Sequence, residues 1–275
     1  MKTKGYKEAQ AAHDAGLPRA SIASTLIQQI QTRYGRSEES EDRHEVAMNV
    51  LGIAYAAGSD TTSAAVESFL VAMAMFPGVQ KKAQDELDRV VGPGRLPEYE
   101  DLTNLPYLSA VTLEVMRWIP VTPIGVPHAV IADDNYNGYY IPKGSAVIAN
   151  QWGMLHNPVD YPEPELFRPE RFLGSDGKIN RTVRDPTTIA FGFGRRICAG
   201  RYFSNNALSI CIASTLHTFN IQAGLDSSGK PVKLTSEMFG GLIAKPKEVP
   251  CGLTPRSDSA ARLVRDGVLP YRRQI

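Results

Sequence analysis

Cysteine is scarce in this sequence, net charge is nearly absent and no apolar run is long. The three cysteines, Cys198, Cys211 and Cys251, are odd in number and widely spaced. That excludes a disulfide framework and the paired Cys-x-x-Cys ligands of structural zinc, and it points to a reducing compartment in which each thiol has its own role. Lys and Arg number 30 against 29 Asp and Glu, a formal charge of +1, so no global field recruits nucleic acid or an anionic membrane. The longest charge-free apolar stretch of the first part, Val46 to Ser59, is shorter than the ~20 residues that span a bilayer. The charged opening Met1-Lys2-Thr3-Lys4 is followed by no apolar segment. Neither a membrane anchor nor a signal peptide is therefore expected in this chain. Internal repeats and low-complexity tracts are also lacking.

What is present is the composition of a folding protein: 275 residues, 43% hydrophobic and 21% charged. This length suits one large domain or two small ones, and the composition excludes a disordered or collagen-like chain. The pattern predicts polar helices over 7–15 and 21–34 and an acidic stretch over 37–42. A long alanine-rich helix follows from Glu45 to Phe76, stopped by Pro77-Gly78 and expected to be buried through the middle of the domain. Amphipathic helices follow over 80–91 and 107–118, bounded by Gly92-Pro93-Gly94, Pro106 and Pro120. Segments 126–131, 139–141 and 146–151 are rich in Val, Ile and Tyr around the turns Asn137-Gly138 and Pro142-Lys143-Gly144, which reads as short strands. Residues 156–196 read as a long irregular segment of the kind that carries function. A helix is expected from Ala199 to Phe219, then strand and turn to Leu253, and a frayed tail over 256–275.

The most specific stretch is Phe191-Gly192-Phe193-Gly194-Arg195-Arg196-Ile197-Cys198-Ala199-Gly200. A lone cysteine is by default a small buried hydrophobe. Here it ends a glycine-rich turn at a helix start, where backbone amides and the helix dipole favour an anionic sulfur. Gly194 permits the tight turn, Gly200 lets a flat ligand approach the backbone, and Arg196 is placed to neutralise a carboxylate. A phosphate-binding loop does not fit, because Ile197 replaces the third glycine and no Gly-Lys-Ser/Thr follows.

At this point the chain resembles the cytochrome P-450 family of haem-thiolate monooxygenases, whose cysteine loop reads Phe-x-x-Gly-x-Arg-x-Cys-x-Gly. Phe191, Gly194, Arg196, Cys198 and Gly200 fill every place. The resemblance implies that Cys198 is the axial thiolate ligand of haem b iron, pushing electron density toward it. Glu114-Val115-Met116-Arg117, by itself a surface pair, resembles the family's Glu-x-x-Arg, and Pro169-Glu170-Arg171-Phe172 resembles its partner segment. The implied role of Glu114, Arg117 and Arg171 is a buried charge network behind the haem. Ala57-Gly58-Ser59-Asp60-Thr61-Thr62 resembles the family's oxygen-activating motif, in which the helix is locally opened, although a mid-helix Thr usually bonds back to the preceding turn. Asp60 and Thr61 would then relay protons. His128 is carried over as a propionate-binding residue. Ile53, Ala57, Val121, Ile124, Val126 and Phe239 are carried over as the substrate pocket, against the alternative of ordinary core packing. Lys81, Lys82, Arg195 and Arg201 could form a basic patch for an acidic electron donor or a merely solvated face.

The resemblance covers about 45–246, four motifs in the family's order, and looks most like fungal members, including those of secondary metabolism. It implies a mainly α fold with small mixed β-sheets, the C-terminal portion of the P-450 fold with the N-terminal half absent, in a single truncated domain. It also implies insertion of one atom of O2 into a small apolar substrate, with NADPH electrons delivered by a flavoprotein reductase at the cytosolic face of the endoplasmic reticulum membrane. Nucleic acid is not an expected partner. Two alternatives stand beside it: a non-catalytic remnant that does not retain haem, and a cysteine hydrolase pairing Cys198 with His128 or His156.

Overall fold

Several helix ends of the N-terminal segment sit on a local signal. In a computed structural model, which describes residues 3–272, α1 spans Lys4–Asp14 and α2 spans Ile22–Tyr34. The Ser21 side chain caps α2 by accepting from the Ser24 amide, and Gly35, at φ +60°, ends it in a conformation that a side chain disfavours. Helix α3 runs Glu38–Met75, so it begins in the acidic stretch rather than after it. Ser37 accepts from the Ser40 amide, and Glu38, Glu39 and Glu41 in the first turn sit where the helix dipole favours anions.

The chain divides into two compact units, Met1–Asp60 and Thr61–Ile275. The first has its own small core of Tyr6, Ile27, Ile30 and Ala47, and the Tyr6 hydroxyl bonds His44 Nδ1 at 2.5 Å. The expectation that the whole long helix is buried is corrected. Apart from Ser40 and Ala47, which are buried in the first unit, burial along the helix begins at Ala64 and continues through Phe69, Val71, Ala72 and Met73, whereas Val46, Val50, Ile53 and Tyr55 are exposed.

In the second unit, α4 (Pro77–Val90) and α5 (Pro106–Trp118) each take a proline into the first turn, where its missing amide costs nothing. The buried Glu86 carboxylate of α4 accepts from the Tyr107 and Leu108 amides at 3.0 and 2.9 Å, capping α5. Helix α8 (Arg201–Thr218) packs on α4 and α5, and Phe69, Leu87, Leu108, Val111, Leu208 and Ile212 fill the space between them. Between α5 and α8 lie α6 (Gln151–Leu155) and, within the segment read as irregular, α7 (Thr187–Ala190) and two short 3-10 turns, Pro169–Phe172 and Gly194–Arg196. Another 3-10 turn, Tyr99–Asn104, precedes α5.

The sheets among the described residues are antiparallel pairs rather than mixed. β1 (His128–Ala129) pairs with β4 (Ala146–Val147), and β2 (Asp134–Tyr136) with β3 (Tyr139–Ile141) across the Asn137-Gly138 turn. The strands expected over 126–131 and 146–151 are therefore shorter, and Gln151 opens α6 because the Asn150 side chain caps it at the Gly153 amide. β5 (Phe219–Ala223) pairs with β8 (Cys251–Pro255), and β6 (Met238–Phe239) with β7 (Lys245–Pro246). Gln80 of α4 clips β5 by imitating a strand. Its Nε2 donates to the Ile221 carbonyl at 2.8 Å and its Oε1 accepts from the Ile221 amide at 2.7 Å.

The tail expected to fray instead holds α9 (Asp258–Arg272), capped by Ser257 and carrying a buried Ala260. Residues 273–275 of that expected tail lie outside the described residues.

Candidate haem-thiolate site

The Phe191–Gly200 loop folds on backbone terms alone. The Cys198 amide donates to the Phe191 carbonyl at 2.8 Å, closing the loop, and Gly192 and Gly194 adopt φ of +77° and +60°. Side chains at those two positions would be strained, although the space around them is open. A Cβ on Gly200 would meet the Cys198 sulfur at 3.8 Å. Cys198 is exposed, just ahead of the 18-residue helix α8, and Arg196 is exposed in the turn before it. Phe193, Tyr202 and Phe203 around it are exposed as well, and Phe191 is half-buried.

Among the described residues no cluster of three or more His, Cys, Asp or Glu could hold a bare metal ion. A metal bound at Cys198 must bring its other ligands with it, as iron in a porphyrin does. The open glycine turn, the exposed thiol and the exposed aromatic rings fit such a flat, apolar group.

A buried charge network joins α5 to the segment over 155–171. Glu114 and Arg117 of α5 are both 0% exposed, and Arg171 is 3% exposed. The Glu114 carboxylate accepts from Arg117 Nε at 2.7 Å, Arg117 Nη2 at 2.9 Å, Arg171 Nε at 3.1 Å and the Arg168 amide at 2.7 Å. The remaining guanidinium donors reach carbonyls: Arg117 bonds Leu155 and Leu166, and Arg171 bonds Pro162, Glu163 and Leu166. Burial pulls the Arg171 pKa below its ordinary value, with Glu114 opposing that shift. The Arg168 amide and these carbonyls are members that the motifs did not announce, because backbone groups leave no trace in residue identity.

The other candidates are more scattered. Asp60 is exposed and Thr61 half-buried on α3, which runs through the motif without opening. His128 is exposed on β1. Ile124, Val126 and Phe239 are exposed rather than packed into a core, as are Ile53 and Ala57. Val121 is half-buried, and its carbonyl accepts from the Ala244 amide at 2.7 Å, which brings it beside the β6–β7 hairpin that carries Phe239. His156, the alternative partner of a cysteine nucleophile, is buried. It stacks on Trp152 at 4.3 Å with Nδ1 3.0 Å from the Trp152 carbonyl, and burial pushes its pKa down. Among the described residues no single helix is long and apolar enough to cross a membrane.

Comparison with known proteins bears on the same loop and helices. The family profile described as cytochrome P-450 matches residues 4–249. The chain is 47% identical to cytochrome P-450 monooxygenase ple1 of Rhodocybe pseudopiperita over 265 residues, 96% of this chain and 50% of that protein. It is 41% identical to cytochrome P-450 monooxygenase COX2 of Coprinopsis cinerea over 91% of this chain and 47% of that protein. It is 39% identical to the tryptamine 4-monooxygenase of Psilocybe cyanescens over 90% of this chain and 48% of that protein. The chain thus spans about half the length of the curated relatives it matches.

Proposed function

This chain belongs to the cytochrome P-450 family, and from that premise we propose that it carries the thiolate side of a haem monooxygenase, with Cys198 as the residue whose thiolate would hold the haem iron. The observation that carries the reading is the glycine-rich loop that presents an exposed Cys198 at the start of α8, closed by the Cys198 amide on the Phe191 carbonyl. Haem b bound there would supply the redox chemistry for monooxygenation of a C–H bond, aided by the electron-rich thiolate.

The protein's own residues do the rest. Gly192 and Gly194 hold the turn that presents the sulfur, and Arg196 and His128 would pair with the haem propionates. The Glu114–Arg117–Arg171 network holds the segment over 155–171 rigid against α5, so that the loop that follows it keeps its place. Asp60 and the Thr61 hydroxyl hold and pass protons at the oxygen-binding face, and Ile53, Ala57, Val121, Ile124, Val126 and Phe239 offer apolar surface to a small organic substrate. Electrons come from an NADPH-dependent flavoprotein reductase at the cytosolic face of the endoplasmic reticulum membrane. The substrate is an apolar compound of fungal secondary metabolism.

A second reading is favoured by one observation. Val50, Ile53, Tyr55, Val126, Tyr202 and Phe203 are all exposed, and apolar surface left open lets water reach a bound cofactor and weakens its retention. In this reading the chain by itself does not hold haem. The absorption spectrum of the purified, reduced, CO-treated chain decides. A red-shifted Soret band typical of thiolate ligation supports the first reading, and a haem-free spectrum with self-association supports the second. A Soret band of histidine or water ligation overturns the assignment of Cys198.

A further inference from the structure

Helix α9 lies beyond residue 249, where the family match ends, and little apolar burial holds it. Among its described side chains only Ala260 is buried. Polar contacts at its start pin it instead. Arg256 grips Asp88 of α4 with two bonds, at 2.9 and 2.6 Å, donates to the His217 carbonyl at 3.3 Å, and its amide donates to the Thr218 carbonyl at 2.9 Å. A cleft of about 330 Å³ opens at this junction, its walls including Asp88, Pro93, His217, Arg256 and Leu263.

His217, in the last turn of α8, is 5% exposed, and its Nδ1 is buried without a hydrogen-bond partner. The groups that act on it come from every side of the junction. Burial pushes its pKa below the ordinary 6.5 and Arg256 pushes the same way, while Asp88 and the backbone at Arg95 and Gly92 oppose them. Asp101 of the 3-10 turn also faces it, and its α8 neighbours one turn back, Ala213 and Ser214, carry no charge. The ring is thus held neutral beside a cation.

We propose that His217 and the Arg256–Asp88 clasp form an acid-sensitive latch, in which a proton taken up by His217 releases α9 from α4 and α8. A proton on the ring creates a second buried cation next to Arg256 and gives Nδ1–H no acceptor. Once α9 lifts, the imidazole meets water and binds its proton at the ordinary value. The folded value is the depressed one, so the latch is fully closed above pH 6.5 and weakens as pH falls from there toward the folded value. Each pH unit inside that window favours opening by at most about tenfold. The clasp itself does not titrate there, because the Arg256 bond holds the Asp88 carboxyl below its ordinary 3.8. Opening bares the C-terminal end of the helix whose other end follows Cys198, and nothing in this latch depends on haem.

Amide hydrogen exchange on the full chain at about pH 7.5 and about pH 5.5, corrected for the intrinsic rates, tests it. Opening over 258–267 should rise at the lower pH, by up to about tenfold, with α5 unchanged as the internal reference. His217→Gln should abolish the rise while leaving α9 protected at the higher pH. A rise of the same size in that variant, or no rise in the native chain, overturns the proposal. If the variant does not fold, the ring signals of the native chain decide. Protonation of His217 in step with the loss of α9 protection supports the latch, and a protonated ring under a protected α9 overturns it.

Discussion

Replacing Glu114 by Gln keeps the size of the side chain and removes its charge, which isolates what the carboxylate does. In the native protein its two oxygens accept from Arg117, Arg171 and the Arg168 amide. A carboxamide has one acceptor oxygen and presents an NH2 group to guanidinium donors, so at least one of those bonds becomes a donor facing a donor. Two guanidinium groups, 0% and 3% exposed, then share a buried site with no counter-charge. Breaking one side of such a buried pair costs roughly 3–5 kcal/mol. That is a large part of the ~5–15 kcal/mol that stabilises a whole domain. At about 2–4 °C per kcal/mol, Tm should fall by roughly 6–20 °C.

The assay is urea or thermal unfolding followed by circular dichroism, read together with Arg171→Met. That variant should be the milder of the two, since Glu114 keeps Arg117 and what is lost is one cation with its bonds to the carbonyls of Pro162, Glu163 and Leu166. In the double variant the losses should not add, because removing Arg171 also removes one of the two stranded charges. A Glu114→Gln protein within about 1 kcal/mol of the native one, or strict additivity with Arg171→Met, would refute the claim that this carboxylate neutralises both arginines.

Three further outcomes follow. In a fusion that adds the half of a relative's domain that this chain does not span, Cys198→Ala should lose the thiolate-type CO spectrum while Cys211→Ala and Cys251→Ala keep it; retention of the spectrum by Cys198→Ala removes the ligand assignment. In the same fusion, Thr61→Ala should bind haem and substrate normally yet release more peroxide and less product per NADPH, and unchanged coupling returns Thr61 to a back-bonded helix residue. The Asp101 carboxyl, held at about 2 by the Arg95 side chain and then by the Glu98 amide, is a depressed acid, so its contribution is present above its ordinary 3.8 and lost as pH falls toward 2. In Arg95→Met the Asp101 titration, followed by carboxyl carbon shifts, should move up toward 3.8, and an unmoved midpoint refutes Arg95 as the cause.

The part of this protein that was legible in sequence is the part whose cause is local. Proline at the first turn of α4 and of α5, glycine after α2 and Asn137-Gly138 between β2 and β3 each act through their own dihedrals, and those boundaries fell close to where they were read. The cysteine loop is legible for the same reason, since its glycines and its closing Cys198–Phe191 bond lie within ten residues. The start of α3 was misplaced because an acidic run reads as a solvated linker until Ser37 is seen capping it. The tail was misread because what anchors α9 is non-local: Arg256 bonds Asp88, 168 positions away, and nothing near it in sequence names that partner.

Two buried glutamates show where residue type stops carrying information. Glu86 and Glu114 are both buried and both on helices of the same core. Glu86 receives two backbone amides at the start of α5 and so acts as a cap, needing no cation because the helix end supplies partial positive charge. Glu114 sits within α5, past the free amides of its first turn, and is met by two guanidinium groups and the Arg168 amide. The Glu-x-x-Arg spacing pointed to the second because an arginine one turn away is a visible partner. Nothing in the sequence around Glu86 names the amides of Tyr107 and Leu108, 21 and 22 positions on, as its partners. A charge met by a charge can be read from the letters, whereas a charge met by a helix end must be read from the fold.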